Sequence, residues 1–306
     1  MKALREAIRP TTFIESEKLS THLGIELLLV SETNQHTGSF KYRAAYNTAS
    51  SVVNTHLITG SSGNFGQALA YACMLLGKDC TVVMPDTSAK VKVDAIRGYG
   101  ATVVLIDTKN VSRAEKVAAI SAENPEAYVA SPFDDKLVID GNSTLGEEVS
   151  AKEFDCIVAP IGGGGLVAGL LSGLCKAGHL AEVVGAEPLA GNDAARSLRS
   201  GRIEVNESEP RTIADGARTV SLGRLNWEII RNGMKKIIEV PDSATEEALR
   251  LLFMHANLKT EPTGALGLGA VISDRDYFDG KKVCVVVSGG NVDPSTYCEI
   301  LTKSVS

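Results

Sequence analysis

Short runs rich in valine, isoleucine and leucine recur along this chain, and between most of them the apolar positions switch to helical spacing. Residues 25–30, 56–59, 80–84, 102–106 and 127–130 read as strands, as do 157–161, 183–187, 237–240 and 283–287. Ala68, Leu69, Ala72, Leu75 and Leu76 show the helical repeat that follows the second of them. Strand and helix in alternation predict an α/β fold with parallel-type sheets and helices on both faces. No long linker, low-complexity tract or short-period repeat interrupts the pattern, which by itself permits a single doubly wound sheet.

Three strand ends run into small-residue turns. Ser61-Ser62-Gly63-Asn64-Phe65-Gly66 lies between the 56–59 strand and a helix, where free N–H groups, two hydroxyls and an amide suit a carboxylate or phosphate. Gly162, Gly163, Gly164 and Gly165 follow the 157–161 strand, and four glycines let the backbone aim several N–H groups at an anion. Neither turn carries the G-x-G-x-x-G or Lys-Ser/Thr signature of nucleotide loops, and each also reads as a plain strand-to-helix turn. The third is Ser288-Gly289-Gly290-Asn291, with Ser288 just past a strand's carboxyl end, where parallel sheets take ligands. Separately, T-G-S-F-K-Y-R-A-A at 37–45 predicts a helix beginning at Gly38 and Ser39, with Ser39 as N-cap. Lys41 then falls in the first turn, where the helix dipole favours a neutral amine able to form a Schiff base with an aldehyde. A lysine at a helix start is otherwise a solvated surface residue.

Composition narrows the class. With 306 residues, 44% of them hydrophobic, the chain can bury a large core in one large or two smaller domains. A net charge of −6 without a basic run argues against nucleic acid or an anionic membrane as partner. The first residues, Met1 to Ala7, mix charges and lack an apolar signal core, and no apolar stretch approaches the ~18 residues that span a bilayer. Six cysteines without a C-x-x-C pair read as reduced packing groups of a cytoplasmic protein. The five histidines show no metal-ligand spacing.

The four motifs together, in order and spacing over residues 10 to about 295, resemble the tryptophan-synthase-β-like (fold type II) pyridoxal-phosphate enzymes, and within them the serine/threonine dehydratase and serine racemase group. The resemblance implies a small domain, residues 56–134, inserted into a large cofactor domain of residues 1–55 and 135–306. It implies that Lys41 carries pyridoxal 5'-phosphate with Phe40 packed beside the ring. Ser61, Ser62 and Asn64 would hold the substrate carboxylate, Asn64 also meeting the ring hydroxyl. The phosphate would lie on Gly162, Gly163, Gly164 and Gly165, and the pyridine nitrogen on Ser288. A homodimer is the expected assembly.

Three further segments extend the resemblance. Gly185 to Asp193 is similar to a divalent-cation loop, which implies Glu187, the Gly191 carbonyl and Asp193 as ligands of magnesium or calcium. The alternative is a strand-end glutamate and a helix-capping aspartate. Thr212-Ile213-Ala214-Asp215-Gly216 implies that Asp215 and Gly216 line the pocket. Glu261 is a candidate cofactor contact, or else a helix-start acid stabilised by the dipole. Two positions depart from the family pattern: Phe65 stands where histidine is usual and Ala44 where glycine is common.

The function so implied is dehydration of a 3-hydroxy amino acid such as L-serine or L-threonine. The freed Lys41 amine removes the Cα proton, and loss of the hydroxyl leads to a 2-oxo acid and ammonia. Neutral Ser288 suits rapid β-elimination over a long-lived carbanion. The runner-up is a serine- or aspartate-type racemase in which Ser62 is the second acid/base, facing Lys41. Cysteine-synthase-like replacement fits less well, because that branch carries T-S-G-N-T-G and G-T-G-G-T loops. A non-catalytic anion-binding protein on the same fold is the reading from another class. The short segment after the Ser288 strand leads us to expect no carboxy-terminal regulatory domain.

Overall fold

The computed structural model describes residues 2–61, 63–88 and 90–303. The first part comprises α1 (Lys2–Ala7), β1 (Thr12–Glu15), α2 (Glu17–Leu23), β2 (Glu26–Ser31) and α3 (Lys41–Ser51). Next come β3 (His56–Thr59), α4 (Asn64–Leu76), β4 (Asp79–Pro85), α5 (Lys90–Gly98), β5 (Thr102–Ile106), α6 (Arg113–Glu123) and β6 (Tyr128–Val129). The chain continues through α7 (Lys136–Val149), β7 (Cys156–Pro160), α8 (Gly165–Lys176), β8 (Glu182–Pro188), α9 (Asp193–Ser200) and α10 (Arg224–Gly233). It ends with β9 (Lys236–Val240), α11 (Asp242–Ala256), α12 (Pro262–Ser273), α13 (Arg275–Phe278), β10 (Lys282–Val287) and α14 (Pro294–Thr302).

Two sheets form rather than one. The larger has strand order β1-β2-β10-β7-β8-β9 and the smaller β5-β4-β3-β6. Every pairing is parallel except β1 with β2. All nine runs expected as strands are strands. The unexpected tenth, β1, is a four-residue antiparallel edge (Thr12 opposite Ser31), too short to stand out by periodicity.

Alternation along the strands sorts side chains between layers. On one face of the large sheet Leu29, Val158 and Val285 pack with Leu19, Leu249 and Leu266 of α2, α11 and α12. On the other, Val30, Ile157 and Val286 pack with Leu145, Val167 and Ile230 of α7, α8 and α10. The small sheet buries Leu57, Val82 and Met84 against α4, and the same cluster draws in Leu4, Tyr42 and Ala45 from α1 and α3. Ile58, Val83 and Ile106 face Val117 of α6. Cys73, Cys80, Cys156 and Cys284 are buried packing groups, whereas Cys175 and Cys298 are exposed.

Helix α8 carries the tetraglycine turn at its start, so its seat on α7 matters. The two backbones touch through glycines: a Cβ on Gly173 would run into the Ser143 carbonyl, and one on Gly146 would lie 2.7 Å from the Leu170 oxygen. Asn142 of α7 adds a hydrogen bond to the Gly165 carbonyl (3.0 Å). In a Gly173→Ala variant, overpacking of about 1–3 kcal/mol should outweigh the ~1 kcal/mol that alanine contributes to a helix. Denaturant unfolding should therefore show a net loss of stability; an unchanged or raised midpoint would mean the helices part at no cost.

Candidate active site

The turn leading into α3 is held by strand pairing, not by a side-chain cap. Thr37 and Gly38 have left-handed backbones (φ 60° and 76°), which reverse the chain after β2. Ser39 is extended and bridges Gly289, so it is not the N-cap its position suggested; Phe40 holds that place without a side-chain bond. The Phe40 N–H donates to the Ser288 carbonyl (3.0 Å), and the Gly290 N–H donates to the Gly38 carbonyl (2.9 Å). Backbone bonding to the end of β10 thus overrides the local capping preference and sets the Lys41 turn against Ser288.

Lys41 opens α3. Its Nζ donates to the Pro132 carbonyl (2.6 Å) and lies 5.1 and 5.8 Å from the Phe40 and Phe65 ring centres. Burial lowers its pKa to about 8, while the Glu261 carboxylate pulls the other way. Desolvation is the main cause, ahead of the helix dipole expected from sequence, and the shift amounts to roughly 3 kcal/mol in favour of the neutral amine. Phe65, at the position where the family pattern has histidine, supplies part of the apolar wall.

A hydrogen-bonded chain joins the neighbouring motifs. Asn64, at the start of α4, donates to Glu261 Oε1 (2.7 Å) and accepts from Asn291 Nδ2 (2.8 Å). Asn291 also donates to the Thr37 carbonyl (2.7 Å). Glu261 stands at the N-cap of α12 but makes no capping bond. Burial, with Asp215 nearby, pushes its carboxyl up to about 8, so burial outweighs the dipole stabilisation expected of a helix-start acid.

The tetraglycine turn shares a wall with Lys41. The 131–134 segment that provides the Pro132 carbonyl also packs the Phe133 ring where a Gly163 Cβ would stand. Buried Asn226 clamps both pieces, donating to the Phe133 carbonyl (3.0 Å) and the Gly163 carbonyl (2.7 Å). Gly164 precedes α8 with φ 90°. Among the described residues no acceptor takes the N–H groups of Gly163, Gly164 or Gly165, so the helix start presents open donors. Gly216 abuts Gly162, and its N–H is held by Thr263 Oγ1 (2.9 Å). Open donors, a buried amine of lowered pKa and buried Ser288 fit the phosphate, aldehyde and ring of pyridoxal 5'-phosphate.

Other expected residues are placed differently. Asp215 is exposed and pairs with Lys92 of α5 (3.2 Å); Arg113 of α6 pairs with Glu209. Both ion pairs join helices of the small sheet to the 209–215 segment. A cavity of about 30 Å³ lined by Gly63, Asn64, Gln67, Lys92, Ile96 and Asn291 brings Lys92 next to the Asn64 chain. A larger open groove, about 450 Å³, has none of the expected site residues in its walls. Ser61 is partly buried, with its carbonyl where a Gly66 Cβ would stand. Ser62 lies outside the described residues.

Glu187, Gly191 and Asp193 gather at the end of β8, without a contact to the Lys41 network among the described residues. The Glu187 carboxylate accepts from the Ala194 and Ala195 N–H groups (2.9 Å each), and Asp193 Oδ1 accepts from Asn206 (2.8 Å). Asp193 Oδ2 is buried without a partner among the described residues. Burial pushes Glu187 to about 8 and Asp193 to about 6, Glu187 also being repelled by its neighbour. No cluster of three or more His, Cys, Asp or Glu with metal-holding geometry occurs among the described residues. Two buried carboxylates, one oxygen unsatisfied, nonetheless make a donor set that a hard cation would fit.

Sequence reasoning missed Pro132, Lys92, Asn226 and Thr263, which act through backbone carbonyls or long-range contacts and carry no local signal. Asn291 stood inside a recognised motif, yet its bond to Asn64 becomes visible only in the fold.

Fold and site define a cofactor-dependent α/β enzyme class, with a desolvated amine and an anion-ready helix start sharing the 131–134 segment as a wall. The chain belongs to the pyridoxal-phosphate dependent enzyme family, which matches residues 4–289. It is 35% identical over 303 residues to the beta-hydroxyaspartate dehydratase of Paracoccus denitrificans, covering 96% of this chain and 95% of that protein. It is 35% identical over 302 residues to human serine racemase, covering 95% and 88%. Among solved structures, the T.th. threonine deaminase superposes with a TM-score of 0.90 at 40% identity, covering 95% and 96% of the two chains. Maize serine racemase gives 0.90 at 30% identity, covering 97% and 95%.

The lowered pKa of Lys41 sets a pH dependence. Capture of the cofactor on Lys41, the role the sequence motifs imply, would need the neutral amine, whose fraction rises roughly tenfold between pH 7 and 9 for a group titrating near 8. The capture rate, followed by the absorbance of the bound cofactor, should rise through pH 8 and level off near 9. A rate still climbing above pH 10 would mean an ordinary, solvated lysine.

Proposed function

We propose that this protein is a pyridoxal-phosphate-dependent dehydratase (ammonia-lyase) of a 3-hydroxy amino acid, in the class of L-serine, L-threonine and 3-hydroxyaspartate. The observation that carries the reading is the Lys41 amine, lowered to about 8 by burial and held at the junction of the four motifs. The names of the relatives, a hydroxyaspartate dehydratase and a threonine deaminase, support the choice of reaction.

The cofactor, when bound, supplies the electron sink for charge developing at Cα. Lys41 would hold its aldehyde carbon, the N–H groups of Gly162, Gly163, Gly164 and Gly165 would take its phosphate, Ser288 would meet its ring nitrogen, and Phe40 would pack against it. Asn64, Glu261 and Gly216 complete its surroundings. Ser61, Ser62 and Asn64 take the substrate carboxylate, and Asp215 borders the substrate space. The Lys41 amine, once freed, would remove the Cα proton, a proton would be returned to the departing β-hydroxyl to give water, and hydrolysis of the released enamine would yield the 2-oxo acid and ammonia. The apolar wall of Phe40 and Phe65 favours the neutral form of the Lys41 amine when it is free.

Residues 56–134 form the small domain in this reading, and residues 1–55 with 135–306 form the large one; the separate small sheet supports the division. Lys92–Asp215 and Arg113–Glu209 span the cleft between them. Glu187, the Gly191 carbonyl and Asp193 bind magnesium or calcium as a structural ion. A cytoplasmic homodimer is the proposed setting; four buried free cysteines suit a reducing compartment. Among the described residues no helix is long and apolar enough to cross a membrane. Racemisation is the second reading, favoured by the serine racemases among the relatives.

Lys41→Ala should fold and lose roughly 10³-fold or more of 2-oxo-acid formation from the best substrate of a hydroxy-amino-acid panel. Normal turnover in that variant would end this reading. Chiral analysis of the recovered substrate separates the two reactions: product formation with little enantiomer exchange supports dehydration, the reverse racemisation. For the ion, a chelator should lower the melting temperature and magnesium should restore it. Identical melting with and without chelator would leave Glu187 as a cap of α9.

A further inference from the structure

Two residues beyond Lys41, Arg43 is wholly removed from solvent, as is Glu32. Its fork is saturated. Nε and Nη2 donate to Glu32 (2.7 and 2.8 Å), Nη1 and Nη2 to Glu148 (2.6 and 3.1 Å), and Nη1 also to Thr144 Oγ1 (3.1 Å). All five donors of the guanidinium are used. Glu32 follows β2 directly, and its N–H donates to the Val287 carbonyl (2.9 Å), the residue before Ser288. Glu148, near the end of α7, takes the Thr11 N–H as well (2.7 Å).

Stability alone is a weak reason for such a cluster. It carries a net negative charge with Arg43 and Glu32 fully desolvated and Glu148 partly so, and apolar replacements of buried ion triads are often neutral or stabilising. Helix α3, by contrast, has a specific need: it begins without a side-chain cap, just after two left-handed residues. We propose that Arg43 is a positioning residue for catalysis. By locking the first turn of α3 to the paired ends of β2 and β10, it fixes the separation and alignment of Lys41 and Ser288. This inference rests on the reading of Lys41 and Ser288 as holding opposite ends of the cofactor ring. A lysine at this position has a single point charge and cannot hold two carboxylates in one plane.

The test uses the full chain with two variants. One is Arg43→Lys; the other is the apolar triple Arg43→Met, Glu32→Leu, Glu148→Leu. For each, melting of the apoprotein, the dissociation constant for pyridoxal 5'-phosphate, borohydride trapping of the cofactor on Lys41, and kcat apart from KM are measured. The triple variant should melt near wild type, yet bind cofactor roughly tenfold more weakly and lose roughly 10–100-fold in kcat with KM little changed, as expected for a misplacement near 1 Å. Wild-type cofactor affinity and kcat in a triple variant that melts normally would overturn the proposal and leave the cluster a packing device. If the triple variant does not fold, Arg43→Lys decides at a temperature well below its melting point. Weakened trapping and kcat there support positioning, and wild-type values overturn it. Turnover persisting in Lys41→Ala would instead remove the underlying reading, whatever Arg43 does.

Discussion

An amine kept out of water is the constraint around which the rest of this structure is arranged. An exposed lysine is protonated at neutral pH and inert toward carbonyls, so its chemistry requires burial without a strong countercharge. Lys41 meets both conditions. Its hydrogen-bond partner is the neutral Pro132 carbonyl, its neighbours Phe40 and Phe65 are aromatic, and Glu261, the carboxyl that pulls against the shift, is itself pushed up to about 8 by burial. The pull of Glu261 is already felt at a lysine value of about 8, so desolvation outweighs the opposing charge.

Holding such a site open in the dry interior calls for backbone connections that do not depend on surface side chains. The Ser39–Gly289 bridge, the Phe40–Ser288 bond and the Glu261–Gly289 bond tie the α3 turn, the end of β10 and the start of α12 together. Glycine lets these backbones approach: a Cβ on Gly289 would lie 2.6 Å from Glu261 Oε1, and α7 and α8 meet through glycines so that the tetraglycine turn is seated. The Lys41 turn and the tetraglycine turn then share the 131–134 segment as a common wall.

The same physics recurs at the end of β8 with opposite chemistry. Glu187 and Asp193 are buried too, but as a pair of like groups with one oxygen unsatisfied. In the first case desolvation produces a nucleophile; in the second it produces a demand for positive charge. Arg43 is the third buried ionic element, and there the positive charge is built in and saturated by its two carboxylates.

What the sequence by itself determined was local and periodic. Strand runs, helix spacing and small-residue turns depend on neighbours a few residues away, and so all nine expected strands and the small-residue turns at the strand ends could be read directly. β1 escaped because four residues on an antiparallel edge leave too little periodicity. The tertiary structure decided everything that hinges on partners distant in the chain. It made two sheets where the pattern permitted one, and took Ser39 from a cap into a bridge. It tied Glu261, a candidate cofactor contact or helix-start acid in the sequence, to Asn64 with its carboxyl pushed up by burial, and assigned to desolvation a lysine shift that sequence attributed to the helix end. Burial and strand pairing are properties of the packed chain, and their energies of a few kcal/mol exceed the local preferences that a linear reading can weigh.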